Sequence, residues 1–140
     1  MKYKQSALAC IVLVAVMMAG ITYAGELEKQ AIKVAESWLG LVDEGDYGKS
    51  WDQSADLFRA ALSKEKWEKS LNAARKPLGN LVSRKVKFTK YATSLPGAPD
   101  GQYVVIQFTT SFTNKKSAIE TVTPMEDSDG IWRVSGYYIK

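Results

Sequence analysis

Any chemistry in this chain must run on carboxylates, tyrosine, lysine or arginine. Its 140 residues include no histidine, which excludes Ser–His and Cys–His nucleophile systems. The single cysteine, Cys10, lies in an N-terminal apolar run. Without that run, neither His nor Cys is left to hold zinc or copper, and no metal or other cofactor is expected. The most informative acid is Glu120, in Ala118-Ile119-Glu120-Thr121-Val122. Strand alternation puts it on the same side as Ala118 and Val122. A carboxylate inside a sheet holds its proton more tightly unless a cation pairs with it. Arg84 and Arg133 are the candidate partners. With one of them, Glu120 is a structural ion pair. Without one, and beside a tyrosine, it is a proton-transfer group. The pattern leaves a second inner row open, because Ile119, Thr121, Thr123 and Met125 also alternate.

A second cluster, Asp43, Glu44 and Asp46, falls where one helix ends and the next begins. Acids are unfavourable at a helix C-terminus, so Asp43 is a site candidate, while Asp46 is expected to cap the following helix. Tyr47, Trp51, Phe58 and Trp67 recur at helical spacing. They read as core, with Tyr47 and Trp51 able to line an apolar pocket. Lys85, Lys87 and Lys90 read as an exposed strand face that resists edge pairing. The patch is too small for nucleic acid, and no nucleic-acid partner is expected.

The elements that must position these residues follow from period. Glu26 to Glu44 carries Ala31, Val34, Ala35, Trp38, Leu41 and Val42 on one helical stripe, and Gly45 is placed to end it. A second helix carries Tyr47, Trp51, Ala55, Phe58 and Leu62. A third begins at a Ser63 cap, carries Trp67 and Leu71, and stops at Pro77. The period then becomes two. Strands are expected over 84–91, with Val86 and Phe88 on the apolar side, and over 102–113. Two more are expected over 118–126 and over 131–139, with Trp132, Val134, Gly136 and Tyr138 on one side. Pro124 implies an edge or a bulge. Leu95-Pro96-Gly97-Ala98-Pro99-Asp100-Gly101 reads as two turns in series, type II at Pro96-Gly97 and type I from Ala98 to Gly101. Three helices followed by four antiparallel strands make an α+β fold, with the helices on one face of a curved sheet.

Residues 1–24 have the features of an export leader: Lys2 and Lys4, then 13 apolar residues from Ala7 to Ala19, then small residues before a cut after Ala24. The run is too short for a stable membrane anchor. Cleavage leaves a single domain, residues 25–140, with 17 basic and 15 acidic residues, and a periplasmic or secreted location. That domain contains no cysteine, so packing alone must hold it together.

Trp38, Asp43-Glu44-Gly45-Asp46-Tyr47 and Ser50-Trp51 resemble the first helix pair of the nuclear transport factor 2-like cone fold. Trp67, Pro77-Leu78-Gly79, Ser83-Arg84, the Leu95–Gly101 loop, Glu120-Thr121-Val122 and Asp129-Gly130-Ile131-Trp132-Arg133-Val134 resemble an exported bacterial family named domain of unknown function 4019. The resemblance implies a curved sheet wrapped by helices around an internal pocket, and it carries over no catalytic residue. The function expected is a non-catalytic envelope module that binds a small apolar ligand or another protein. A homodimer through the sheet face is a further expectation, since Tyr103, Val105, Gln107 and Thr109 are too apolar for plain surface. The alternative is a cofactor-free isomerase or dehydratase using Tyr with Asp or Glu. Glu120 or Asp43 within hydrogen-bond reach of a pocket tyrosine would favour the enzyme, and a narrow pocket filled by Trp and Phe would favour the binding module.

Overall fold

The helical stripe from Ala31 to Val42 forms the C-terminal part of helix α1, Lys4–Asp43, in a computed structural model of the chain. The structure describes the backbone of residues 4–140 and the side chains of residues 23–140. Residues 1–3 of the leader expected over residues 1–24, and the side chains of its apolar run, lie outside the residues so described. Helix α1 closes as its sequence dictates. Gly45 adopts φ 79°, and the amides of Gly45 and Asp46 return to the carbonyls of Val42 and Leu41.

Three further helices follow: α2, Tyr47–Asp52; α3, Asp56–Ala61; and α4, Lys64–Ala74. The described residues therefore hold four α-helices where three were expected. The expected second helix is cut because the Ala55 amide leaves the helical ladder and donates to Val134 O, 2.8 Å away. Ser63 caps α4 by accepting from the Lys66 amide at 3.3 Å. Asp46 occupies the cap position of α2, but its side chain makes no capping bond. Pro77 stops α4 inside a 3-10 turn over Lys76–Leu78.

Strands β1 (Leu81–Ala92), β2 (Tyr103–Phe112), β3 (Lys115–Glu126) and β4 (Trp132–Ile139) form one open antiparallel sheet in sequence order. The even residues of β2, Val104 to Phe112, are all buried. Ala118, Glu120 and Val122 are the inner row of β3, each no more than 2% exposed. With α1 and α4 these positions enclose the main core of Trp38, Leu39, Phe58, Trp67, Ile106 and Phe108.

Two bulges change which side chains face that core. In β1 the register slips between Val86 and Phe88. Arg84 thereby shares the inner face with Thr89 and Tyr91, while Phe88 turns outward. Val86 and Phe88, expected on one buried side, are 41% and 47% exposed. In β4, Val134 pairs with Pro124 and Gly136 with Thr123, so Ser135 is an extra residue. Pro124 is therefore tolerated in an interior strand. Beyond the bulge Tyr137 faces the core, and Tyr138, expected beside Trp132, is 63% exposed.

The Leu95–Gly101 loop is structural. The Ala98 amide closes a turn on Leu95 O at 3.2 Å, and Gly97 takes φ 75°. The second turn does not close on itself, because the Gly101 amide reaches back to Thr93 O at 3.0 Å. Leu95 and Ala98 pack against the cluster of Tyr103 and Met125. Gly97→Val is expected to cost about 2 kcal/mol, since a β-branched residue resists positive φ. Lys85→Ala, on an exposed strand position, should stay within about 0.5 kcal/mol. Urea midpoints of the two variants check the pair, and equal midpoints would contradict the turn assignment.

Candidate functional site

Four strands and the ends of two helices converge on Glu120. The alternation of β3 points its carboxylate inward, where it has no exposed surface. Arg84 on β1 donates from Nε to Glu120 Oε1 at 2.8 Å. The Thr110 hydroxyl on β2 donates to the same oxygen at 2.7 Å. The Tyr137 hydroxyl on β4 donates to Oε2 at 2.5 Å. Arg84 also forks onto Asp43, at the end of α1, with Nη1–Oδ2 at 2.7 Å and Nη2–Oδ1 at 2.9 Å. Arg75, just past α4, reaches Asp43 Oδ1 at 3.3 Å, donates to Gly79 O at 2.6 Å and sits 4.3 Å above the Phe112 ring.

Burial alone would lower the pKa of Arg84. The hydrogen bonds to Asp43 and Glu120 outweigh it and raise the guanidinium above its ordinary range, so Arg84 stays charged. Burial first, and then the charge of Glu120, hold the Tyr137 phenol well above the usual tyrosine range. The folded pKa thus exceeds the unfolded one. The stability linked to a neutral Tyr137 is complete below pH about 10 and is lost as pH rises beyond it, where only the unfolded chain releases the proton. Tyr137→Phe is therefore expected to flatten the alkaline decline of stability. Denaturation midpoints on either side of pH ~10 test this, and identical slopes in both proteins would contradict it.

The residues singled out from sequence separate here. Glu120, Arg84 and Asp43 come together. Arg133 does not join them. It pairs with Asp127 at 3.0 Å and with Asp129 at 2.9 Å, and its hydrogen bond, with that of the Ile131 amide, holds Asp129 down to about 2. Tyr47 is buried in the main core and lines a cleft of about 280 Å³ that also touches Asp43 and Arg75. Trp51 donates to Leu62 O at 2.7 Å and ties α2 to the end of α3. Sequence reasoning missed Tyr137, Thr110 and Arg75. Gly136 in mid-strand was the available signal for Tyr137, because such a glycine often marks a bulge.

The interior beside the network is filled. Trp38 and Tyr137 ring centres lie 5.4 Å apart, and Phe58 meets Trp67 edge to face at 4.9 Å. A separate open cleft of about 490 Å³ lies between α1 and the start of β4. Val34, Trp38, Ile131, Trp132 and Val134 supply the apolar half of its lining, and Lys33, Ser37, Asp52, Gln53 and Arg133 the polar half. Among the described residues no cluster of His, Cys, Asp and Glu is arranged to hold a metal ion.

No curated protein matches the chain. Residues 34–137 match the family model described as protein of unknown function (DUF4019). That span begins on α1, ends at Tyr137 and takes in every member of the buried network, and the chain belongs to this DUF4019 family.

Proposed function

We propose that the protein is an exported, non-catalytic binding module of the bacterial cell envelope, built as a nuclear transport factor 2-like cone. It takes a small, largely apolar ligand, or an apolar side chain of a partner protein, in the cleft between α1 and β4. One observation carries this reading. The best-placed carboxylate, Glu120, has no exposed surface, and both its oxygens are already bonded within the fold. The cleft between α1 and β4, by contrast, is open and has apolar side chains in its lining. Native mass spectrometry of the protein purified from its own cells is expected to find a bound species. The exposed Ser37 points to the test variant: Ser37→Trp should fill the cleft and abolish that species without lowering stability. A ligand retained by Ser37→Trp would overturn the assignment. The same spectra should show an N-terminus at Gly25, and a membrane-anchored form retaining Met1 would contradict export with cleavage after Ala24.

A second reading, a proton-transfer enzyme of isomerase or dehydratase type, draws on the Tyr137–Glu120 hydrogen bond. It requires a substrate to displace the Arg84 or Thr110 contact in a space already filled by Trp38 and Trp67. Retention of the bound species in a Glu120→Gln variant that still folds would favour the binding module. Its loss, with the Ser37→Trp variant still loaded, would favour the enzyme.

A further inference from the structure

The face of the sheet turned away from the helices has its own chemistry. The register carries one row across all four strands, with Phe88 opposite Gln107, Gln107 opposite Thr121, and Thr121 opposite Tyr138. The two end residues are 47% and 63% exposed, so an aromatic ring stands in water at each edge of the sheet. Three strand spacings separate them, about 14 Å. An amide and a hydroxyl stand between. The neighbouring rows on this face place Lys85 beside Thr109 and Lys90 beside Val105. Both lysines are exposed, and neither has a carboxylate within ion-pair distance among the described residues. Asp127 and Asp129, between β3 and β4, are engaged by Arg133.

These features select the occupant. A second copy packing on this face would carry both lysines into the interface, and none of the outward residues paired across the strands is a carboxylate that could meet them. The charge calls instead for an anionic partner. Single-stranded nucleic acid stacks successive bases on aromatic platforms, whereas here polar side chains occupy the ground between two distant rings. An acidic sugar chain fits each part. The rings stack on the apolar faces of two separated sugar units, Gln107 and Thr121 meet hydroxyls, and Lys85 and Lys90 meet the acid groups. We propose that the outer sheet face binds an extended acidic oligosaccharide laid across the strands from Phe88 to Tyr138. This proposal is independent of what the cleft between α1 and β4 holds.

Calorimetric titration of the purified protein with a galacturonate hexamer and a heparin-derived hexasaccharide tests it, with maltohexaose as the neutral control. Binding of at least one acidic chain is expected, weakening as salt is raised, with none to maltohexaose. Phe88→Ala and Tyr138→Ala should each weaken it by about tenfold or more, the scale of one lost stacking contact. Ser37→Trp should leave it unchanged. Lys85→Glu, which removes no apolar contact, should weaken it too and serves if a ring variant melts early. Failure of both acidic chains to bind, or equal binding of maltohexaose, would overturn the proposal. So would tighter binding of oligothymidylate, or a concentration-dependent dimer that Tyr138→Ala abolishes.

Discussion

Arg84→Met is expected to destabilise the fold by about 3–5 kcal/mol, the cost typical of removing one partner from a buried ion pair. Arg84 is the cation shared by two carboxylates. Its side chain is 9% exposed, that of Glu120 not at all and that of Asp43 13%. Methionine fills much of the same volume, so lost packing contributes little. What remains is Glu120 in a dry interior with only Thr110 and Tyr137 as donors, and Asp43 with Arg75 alone, at 3.3 Å. Glu120→Gln acts in the same direction and less strongly, since the amide still accepts a bond while Arg84 keeps Asp43. Removing both charges together, as Arg84→Met with Glu120→Leu, should cost less than Arg84→Met alone, because no uncompensated charge is then buried. Urea midpoints of the three proteins decide. A loss within about 1 kcal/mol for Arg84→Met would mean that water reaches the site and screens it.

Trp38→Ala should be comparably severe, at about 3–5 kcal/mol. The indole is 3% exposed and stands between Trp67, at 5.9 Å, and Tyr137, at 5.4 Å. Its Nε1 donates to Ser50 O at 2.8 Å and to Ser54 Oγ at 3.1 Å. That pair of bonds crosses the point where the helix breaks, so the substitution opens a cavity and also releases the α2–α3 junction. Trp38→Phe separates the two contributions by keeping most of the ring and losing the donor. It should recover more than half of the lost stability if the cavity dominates. Thermal and urea denaturation of both variants measure this, and equal losses would assign the effect to the donor.

The residues that sequence period placed correctly are those governed by local rules. Gly45 and Gly97 take positive φ, and Ser63 caps α4. Period put Glu120 on one side with Ala118 and Val122 but left open whether that side faced inward, and burial makes it the inner row. Arg84 was legible only as one of two possible partners of Glu120, the other being Arg133, and it is Arg84 that makes the bond. What escaped was set by single-residue slips and by contacts distant in sequence. One inserted residue at Ser135 reverses the parity of all that follows, which moved Tyr137 into the site and Tyr138 out of it. The break at Ala55 depends on a carbonyl in β4, and no property of residues 46–62 records it. Asp43 and Arg84 are 41 positions apart. The acid therefore looked like a junction residue whose neighbour Asp46 explained the cluster, and Asp46 makes no capping bond.

The way the buried charges are distributed along the chain governs how the polypeptide can assemble. Asp43, Arg75, Arg84, Thr110, Glu120 and Tyr137 come one by one from α1, the end of α4 and each of the four strands. No contiguous piece of the chain holds a complete, neutral and fully bonded set. A partly formed domain lacking β4 would leave Glu120 short of a donor at the place where water is least available. Half-built states are therefore penalised electrostatically as well as by lost packing. The helices and the sheet should then lose their amide hydrogen-exchange protection together, as one cooperative unit, and not as separable layers.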